Sequence, residues 1–143
     1  MRSPGSSFQG RSLELQLGHI VDAWKPTFIL APSVLDQHPD HRATGEFAVH
    51  VLQERHELGR LRVWIVHGGA FWPWPRGWHP SAPLQPPGLA TALAWTRLPL
   101  DVAEVNDKRA ALEAHGTQMF GLEQRFLLAF VRGNELFATP PAP

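Results

Sequence analysis

Two histidines bracket a proline and an aspartate in His38-Pro39-Asp40-His41, and a second carboxylate, Asp36, stands two residues before the first of them. These side chains can do chemistry at neutral pH. An uncoordinated imidazole can act as acid, base or oxyanion partner, and a neutral one is a good zinc ligand. Pro39 keeps His38 out of helical conformation, Asp40 is placed to cap a following helix through its side chain, and His41 falls among the first helical residues. The two rings are thus held close but aimed differently. A single histidine in such a place is ordinarily a solvated loop residue, with the aspartate a mere cap. Two histidines flanking Pro-Asp at a strand's C-terminal end, where open α/β sheets gather ligands, weigh toward function.

The flanking segments supply that strand and helix. Leu13, Leu17, Ile20, Val21 and Trp24 recur at helical spacing, with Lys25 in the last turn and Pro26 as a stop, which predicts an amphipathic helix. The short apolar run Thr27 to Ala31 predicts a strand covered on both faces. After the loop from Pro32 to Pro39, a second helix places Ala43, Phe47, Val51 and Leu52 on one side and Glu46, His50 and Glu54 on the wet side. Gly59 closes it, and Leu61 to His67 forms the next strand. Helix, strand, helix, strand is the order of an α/β parallel sheet with right-handed crossovers.

From Gly68 to Pro99 the pattern gives way to Gly, Pro and Trp, a long loop expected to lie over one edge of a site. Lys108, Ala111, Leu112 and His115 mark a further helix that Gly116 interrupts. Leu122, Phe126, Leu127 and Phe130 resume the helical period, and Asn134 to Ala138 predicts a short strand. The expected organisation is one partial domain over 1–143: a disordered start over 1–11, an αβαβ core over 12–67, the loop over 68–99, helices and a strand over 100–138, and a tail over 139–143.

Composition narrows the function classes. Thirteen basic residues balance thirteen acidic ones, so no broad field attracts nucleic acid. Cysteine is absent, which excludes disulfides, thiolate zinc sites and a cysteine nucleophile, and leaves imidazole and carboxylate to hold any metal. No apolar run reaches membrane-spanning length and the first dozen residues do not read as a secretion signal, so a cytoplasmic location is expected. His67 ends a strand beside Gly68-Gly69 and could face the site or merely cap the strand. Trp72, Trp74 and Trp78 could stack on a sugar or pack on the prolines beside them, and Arg76 could meet an anionic group or be a surface charge. His79 and His115 read as structural or solvated residues.

Asp36-Gln37-His38-Pro39-Asp40-His41-Arg42-Ala43-Thr44-Gly45 resembles the second signature of the LmbE-like (PIG-L) zinc-dependent N-deacetylases. Val66-His67-Gly68-Gly69, Trp72-Pro73-Trp74-Pro75, Lys108 to Leu112 and His115-Gly116-Thr117-Gln118 resemble further landmarks in the same order, so the similarity runs from about Leu13 onward. The resemblance implies a partial Rossmann-like parallel sheet with flanking helices, the N-terminal βα units of the family being missing. It implies zinc as cofactor and His41 as a zinc ligand. His38 becomes the residue that stabilises an oxyanion or protonates a leaving amine, Asp40 orients an imidazole, and Asp36, His67, Trp72 and Arg76 are candidate substrate contacts.

The implied activity is deacetylation of N-acetylated sugars or related small amines, with neither nucleic acid nor membrane as partner. The family's first signature, an Ala-His-Pro-Asp-Asp type of motif, supplies two zinc ligands and the general base, and it is not in this sequence. His41 alone should hold zinc weakly, because catalytic sites normally supply three protein ligands. Little turnover is therefore expected of the chain alone, and the alternative is a non-catalytic remnant or sugar-binding domain. A sheet cut partway exposes an apolar edge, so homo-oligomers or a complementing chain are expected as partners.

Overall fold

The computed structural model describes residues 10–140. The disordered start and the frayed tail expected from the sequence fall mostly on residues 1–9 and 141–143, outside the described residues. Gly10 and Arg11 already belong to the first helix.

The elements run α1 (Gly10–Trp24), β1 (Ile29–Pro32), α2 (Pro39–Glu54), β2 (Leu61–Trp64), β3 (Trp95–Pro99), α3 (Val102–Glu113), α4 (Gly121–Leu128) and β4 (Asn134–Ala138). The molecule is mixed α/β, with a four-stranded sheet in the order β1-β2-β4-β3 and helices flanking it. β1 and β2 pair in parallel, Ile29 opposite Leu61 through Pro32 opposite Trp64. α2 is the crossover between them, as a parallel pair requires. β4 then runs antiparallel to both β2 and β3. A single crossover helix returns the chain to its starting end, but α3 and α4 together reverse it once more, so β4 meets β3 head to tail. The expected parallel arrangement therefore holds for β1 and β2 alone.

Val21, Ala31, Ala48, Leu52, Leu61, Val63 and Ala138 form one buried cluster, with Ile29, Val49, Leu58, Leu93 and Trp95 packed against it. On α2 the buried positions are Gly45, Ala48, Val51 and Leu52. The stripe expected from Ala43 and Phe47 is thus rotated: Ala43 is exposed, while Gly45 faces inward. A Cβ at Gly45 would lie 2.4 Å from the Pro32 carbonyl, so glycine lets α2 press against the end of β1.

Two further expectations change. Of the proposed apolar face of α1, Val21 is buried, but Leu13, Ile20 and Trp24 remain about half exposed or more. β1 is not covered on both faces either, since it is an edge strand whose Leu30 is 48% exposed. The segment from Gly68 to Pro99 is not wholly loop, because β3 forms its last five residues. No helix among the described residues is long and apolar enough to cross a membrane.

Candidate functional site

The site grows from the C-terminal ends of the two parallel strands. Ser33, fully buried, extends the pairing by donating its amide to the Trp64 carbonyl at 2.8 Å. The Asp36 amide turns back onto the Ser33 carbonyl at 3.0 Å, and Gln37 donates to the His67 carbonyl at 3.1 Å, which ties the two loops together. Between them the Asp36 carboxylate is only 1% exposed. It accepts amide N–H groups from His38 at 2.9 Å, Val66 at 2.8 Å and His67 at 3.1 Å. Burial alone would raise its pKa, but these three amides and the nearby His41 ring outweigh that and hold it below the ordinary carboxylate value. Asp36 is therefore ionised at neutral pH.

Three imidazoles cluster here, two of them against this carboxylate. The ring centroids of His38, His41 and His67 lie 5.0 Å from one another in every pairing. His67 Nδ1 is 3.2 Å from Asp36 Oδ1, and with the acid ionised this nitrogen is the donor. His41 Nδ1 is 3.2 Å from Asp36 Oδ2, close enough for an ion pair but off the direction of a hydrogen bond. That buried nitrogen accordingly has no hydrogen-bond partner. His38 differs: its Nδ1 accepts the Asp40 amide at 3.2 Å, so in the neutral ring the proton sits on Nε2.

The capping expected of Asp40 falls to His38 instead. His38 is the N-cap of α2 and its ring takes the Asp40 amide, while Pro39 and Asp40 occupy the first turn. An imidazole at the cap leaves the Asp40 carboxylate exposed, where it favours the positive end of the helix. The carboxylate that contacts imidazoles is Asp36, and Asp40 reaches His38 through its backbone.

Asp36, His41 and His67 each bring one ligand atom to within 4.8 Å of the others, and they are the one such group of His, Asp or Glu among the described residues. Two imidazoles and a carboxylate form a donor set that suits zinc. His41 Nδ1, buried without a hydrogen-bond partner beside an ionised carboxylate, fits that donor set.

The other residues singled out from the sequence divide. Trp72 donates its indole N–H to the Gln85 carbonyl at 2.8 Å and packs edge-on against Phe130, so it is a packing residue of the loop. Trp78 lies under the Arg109 guanidinium, and His79 bonds within its own loop to the Arg76 carbonyl. His115 is exposed at the start of a single 3-10 turn. Arg76 and Trp74, by contrast, line a hollow of roughly 660 Å³ that opens beside His67, and Trp74 is 73% exposed there.

α4 completes this hollow with Leu122, Glu123, Arg125 and Phe126. The Phe126 ring stands 5.8 Å from that of His67, and the Arg76 guanidinium lies over it at 4.7 Å. Sequence reasoning missed Arg125 and Phe126, and no local pattern announces them, because only the return of the chain through α4 brings them to the strand ends. Asp36 did carry a signal: an Asp two residues before a His-Pro can fold its carboxylate back onto the intervening amides.

No protein-family model matches the sequence, and neither do any curated proteins or solved structures.

Proposed function

We propose that this chain is the C-terminal portion of a zinc-dependent amide hydrolase, acting on N-acetylated sugars or related small amines, with a Rossmann-like parallel pair of strands as its frame. The observation that carries this reading is the cluster of three imidazoles, two of them against an ionised, buried carboxylate, at the ends of two parallel strands. The likeness of Asp36 to Gly45 to the second LmbE-like signature points the same way.

Asp36, His41 and His67 would hold the metal, His67 joining the ligand that the resemblance assigns to His41. When bound, zinc supplies Lewis acidity toward an amide carbonyl. Water adds to the carbonyl carbon and gives up its proton to solvent, since the general base of the family's first signature is not in this sequence. Breaking of the C–N bond releases acetate and the free amine. His38 presents an Nε2 proton to the oxygen on which negative charge develops, or passes that proton to the departing amine. The Asp40 amide fixes its tautomer, and Asp36, itself one of the three ligands proposed, also lies against the rings of His41 and His67.

Titration of the purified chain with zinc, and with cobalt as a coloured substitute, tests the reading alongside acetate release from N-acetylglucosamine. One ion per chain, lost in His41→Ala, and slow acetate release that falls in His38→Gln are expected. A chain that takes up no ion at about 100 μM metal, where a three-ligand site should be filled, would sink the proposal.

A further inference from the structure

The hollow beside His67 contains more cationic donors than the protein itself uses. Arg76 Nη2 is spent on the Ala70 carbonyl at 3.0 Å, but Nη1 is shielded from solvent and has no hydrogen-bond partner. A guanidinium nitrogen in that condition is costly, since it has lost water and gained nothing. Its plane is held by Phe126, 4.7 Å below, so the fork is already oriented. Arg125, on α4, lines the same hollow. Among the described residues, neither Arg76 nor Arg125 lies within ion-pair distance of a carboxylate. Glu123 shares the rim but leaves the hollow net positive.

We propose that this hollow is an oxyanion-binding subsite, in which Arg76 and Arg125 grip a carboxylate or phosphate group of the ligand while Trp74 lies against its ring. The inference rests on the reading of the histidine cluster as the reacting centre, because the hollow shares His67 with that cluster. The ligand class narrows accordingly to acylated amines, such as amino sugars, that also carry an acidic group. Arginine suits this role because its planar fork meets the two oxygens of a carboxylate or phosphate together. The apolar rim of Trp74 and Leu122, 73% and 80% exposed, offers the face on which a sugar ring can rest.

Binding in the presence of EDTA separates this subsite from the metal. Calorimetric titrations of the whole chain would compare N-acetylglucosamine 6-phosphate, N-acetylmuramic acid and neutral N-acetylglucosamine, with inorganic phosphate and acetate alone as further arms. At least one acidic sugar should bind about tenfold more tightly than the neutral one, the worth of one charge-assisted contact. Which acidic sugar wins tells phosphate from carboxylate. Arg76→Gln and Arg125→Gln should each remove that preference, and Arg76→Lys should recover only part of it, while zinc titrations of the same variants stay unchanged. Equal affinity for neutral and acidic sugars, no binding by any probe, or a preference that survives both Gln variants would overturn the subsite. Loss of zinc uptake with the acid preference intact would instead sink the metal reading alone.

Discussion

Among the described residues two charged side chains are buried, one acid and one base, and the protein treats them differently. Asp36 is 1% exposed and Arg132 0%. Neither faces a side chain of permanent opposite charge; both are satisfied by backbone dipoles. Arg132 donates to the carbonyls of Ala129 at 2.7 Å, His79 at 3.1 Å and Pro75, and burial pushes its pKa down. Its partners cannot titrate, so it fixes the shape of the Trp-Pro loop and nothing more. Asp36 takes three amides in the same manner but adds two imidazoles, which can change protonation or accept a cation. A buried charge whose neighbours can titrate is built for chemistry, whereas one whose neighbours cannot is built for architecture.

The sharpest way to break that contrast is to remove each charge in turn. Arg132→Met strands three carbonyls and should cost about 4 kcal/mol of unfolding free energy, at about 1–3 kcal/mol for each group left without a partner. Urea denaturation measures it, and zinc uptake by the folded fraction should persist. A loss under about 1 kcal/mol would mean that the loop does not depend on this residue. Asp36→Ala should cost about 3 kcal/mol, because it leaves three amides without their acceptor. Unlike Arg132→Met it should also abolish zinc uptake, and retained uptake would reduce Asp36 to a second structural charge.

Smaller changes sharpen the same distinction. His67→Gln should weaken zinc by about 100-fold, equal to about 2.7 kcal/mol of binding, while leaving the urea midpoint nearly where it was, since the ring is partly exposed. The smallest effect is on acid stability. Because the folded Asp36 carboxyl titrates below its ordinary value, the unfolded chain takes up the proton first as pH falls. Its contribution is complete above about pH 4 and is lost as pH drops through the folded value. Asp36→Asn should flatten that acid limb in a pH series of denaturation curves, and an unchanged slope would assign the limb to other carboxylates.

The part of this architecture legible in the sequence is the part governed by local rules. Pro39 marks the helix start, the apolar run ending at Ala31 marks the strand, and together they place His38 and His41 at a strand-to-helix junction. The helical period of α1 was equally visible, but periodicity says that a face is apolar without saying that anything covers it. β3 was hidden for the opposite reason. Four of its five residues are exposed, so Trp95 to Pro99 shows no alternation, and Pro99 is tolerated because the strand lies at an edge. Asp36 stands out in the sequence beside His38, but its place at the centre of the cluster does not, since that comes from Val66 and His67, about thirty positions further on.

The close seat of Gly45 on the Pro32 carbonyl has a consequence for how this site could drift over time. His41 sits one helical turn before that contact, on the same rigid rod. A single methyl added at position 45 would lever the helix outward, and a reacting centre displaced by even about 1 Å can lose on the order of a hundredfold in rate. The tolerance of the histidine cluster to mutation is thus set in part by a residue with no side chain and no chemistry of its own.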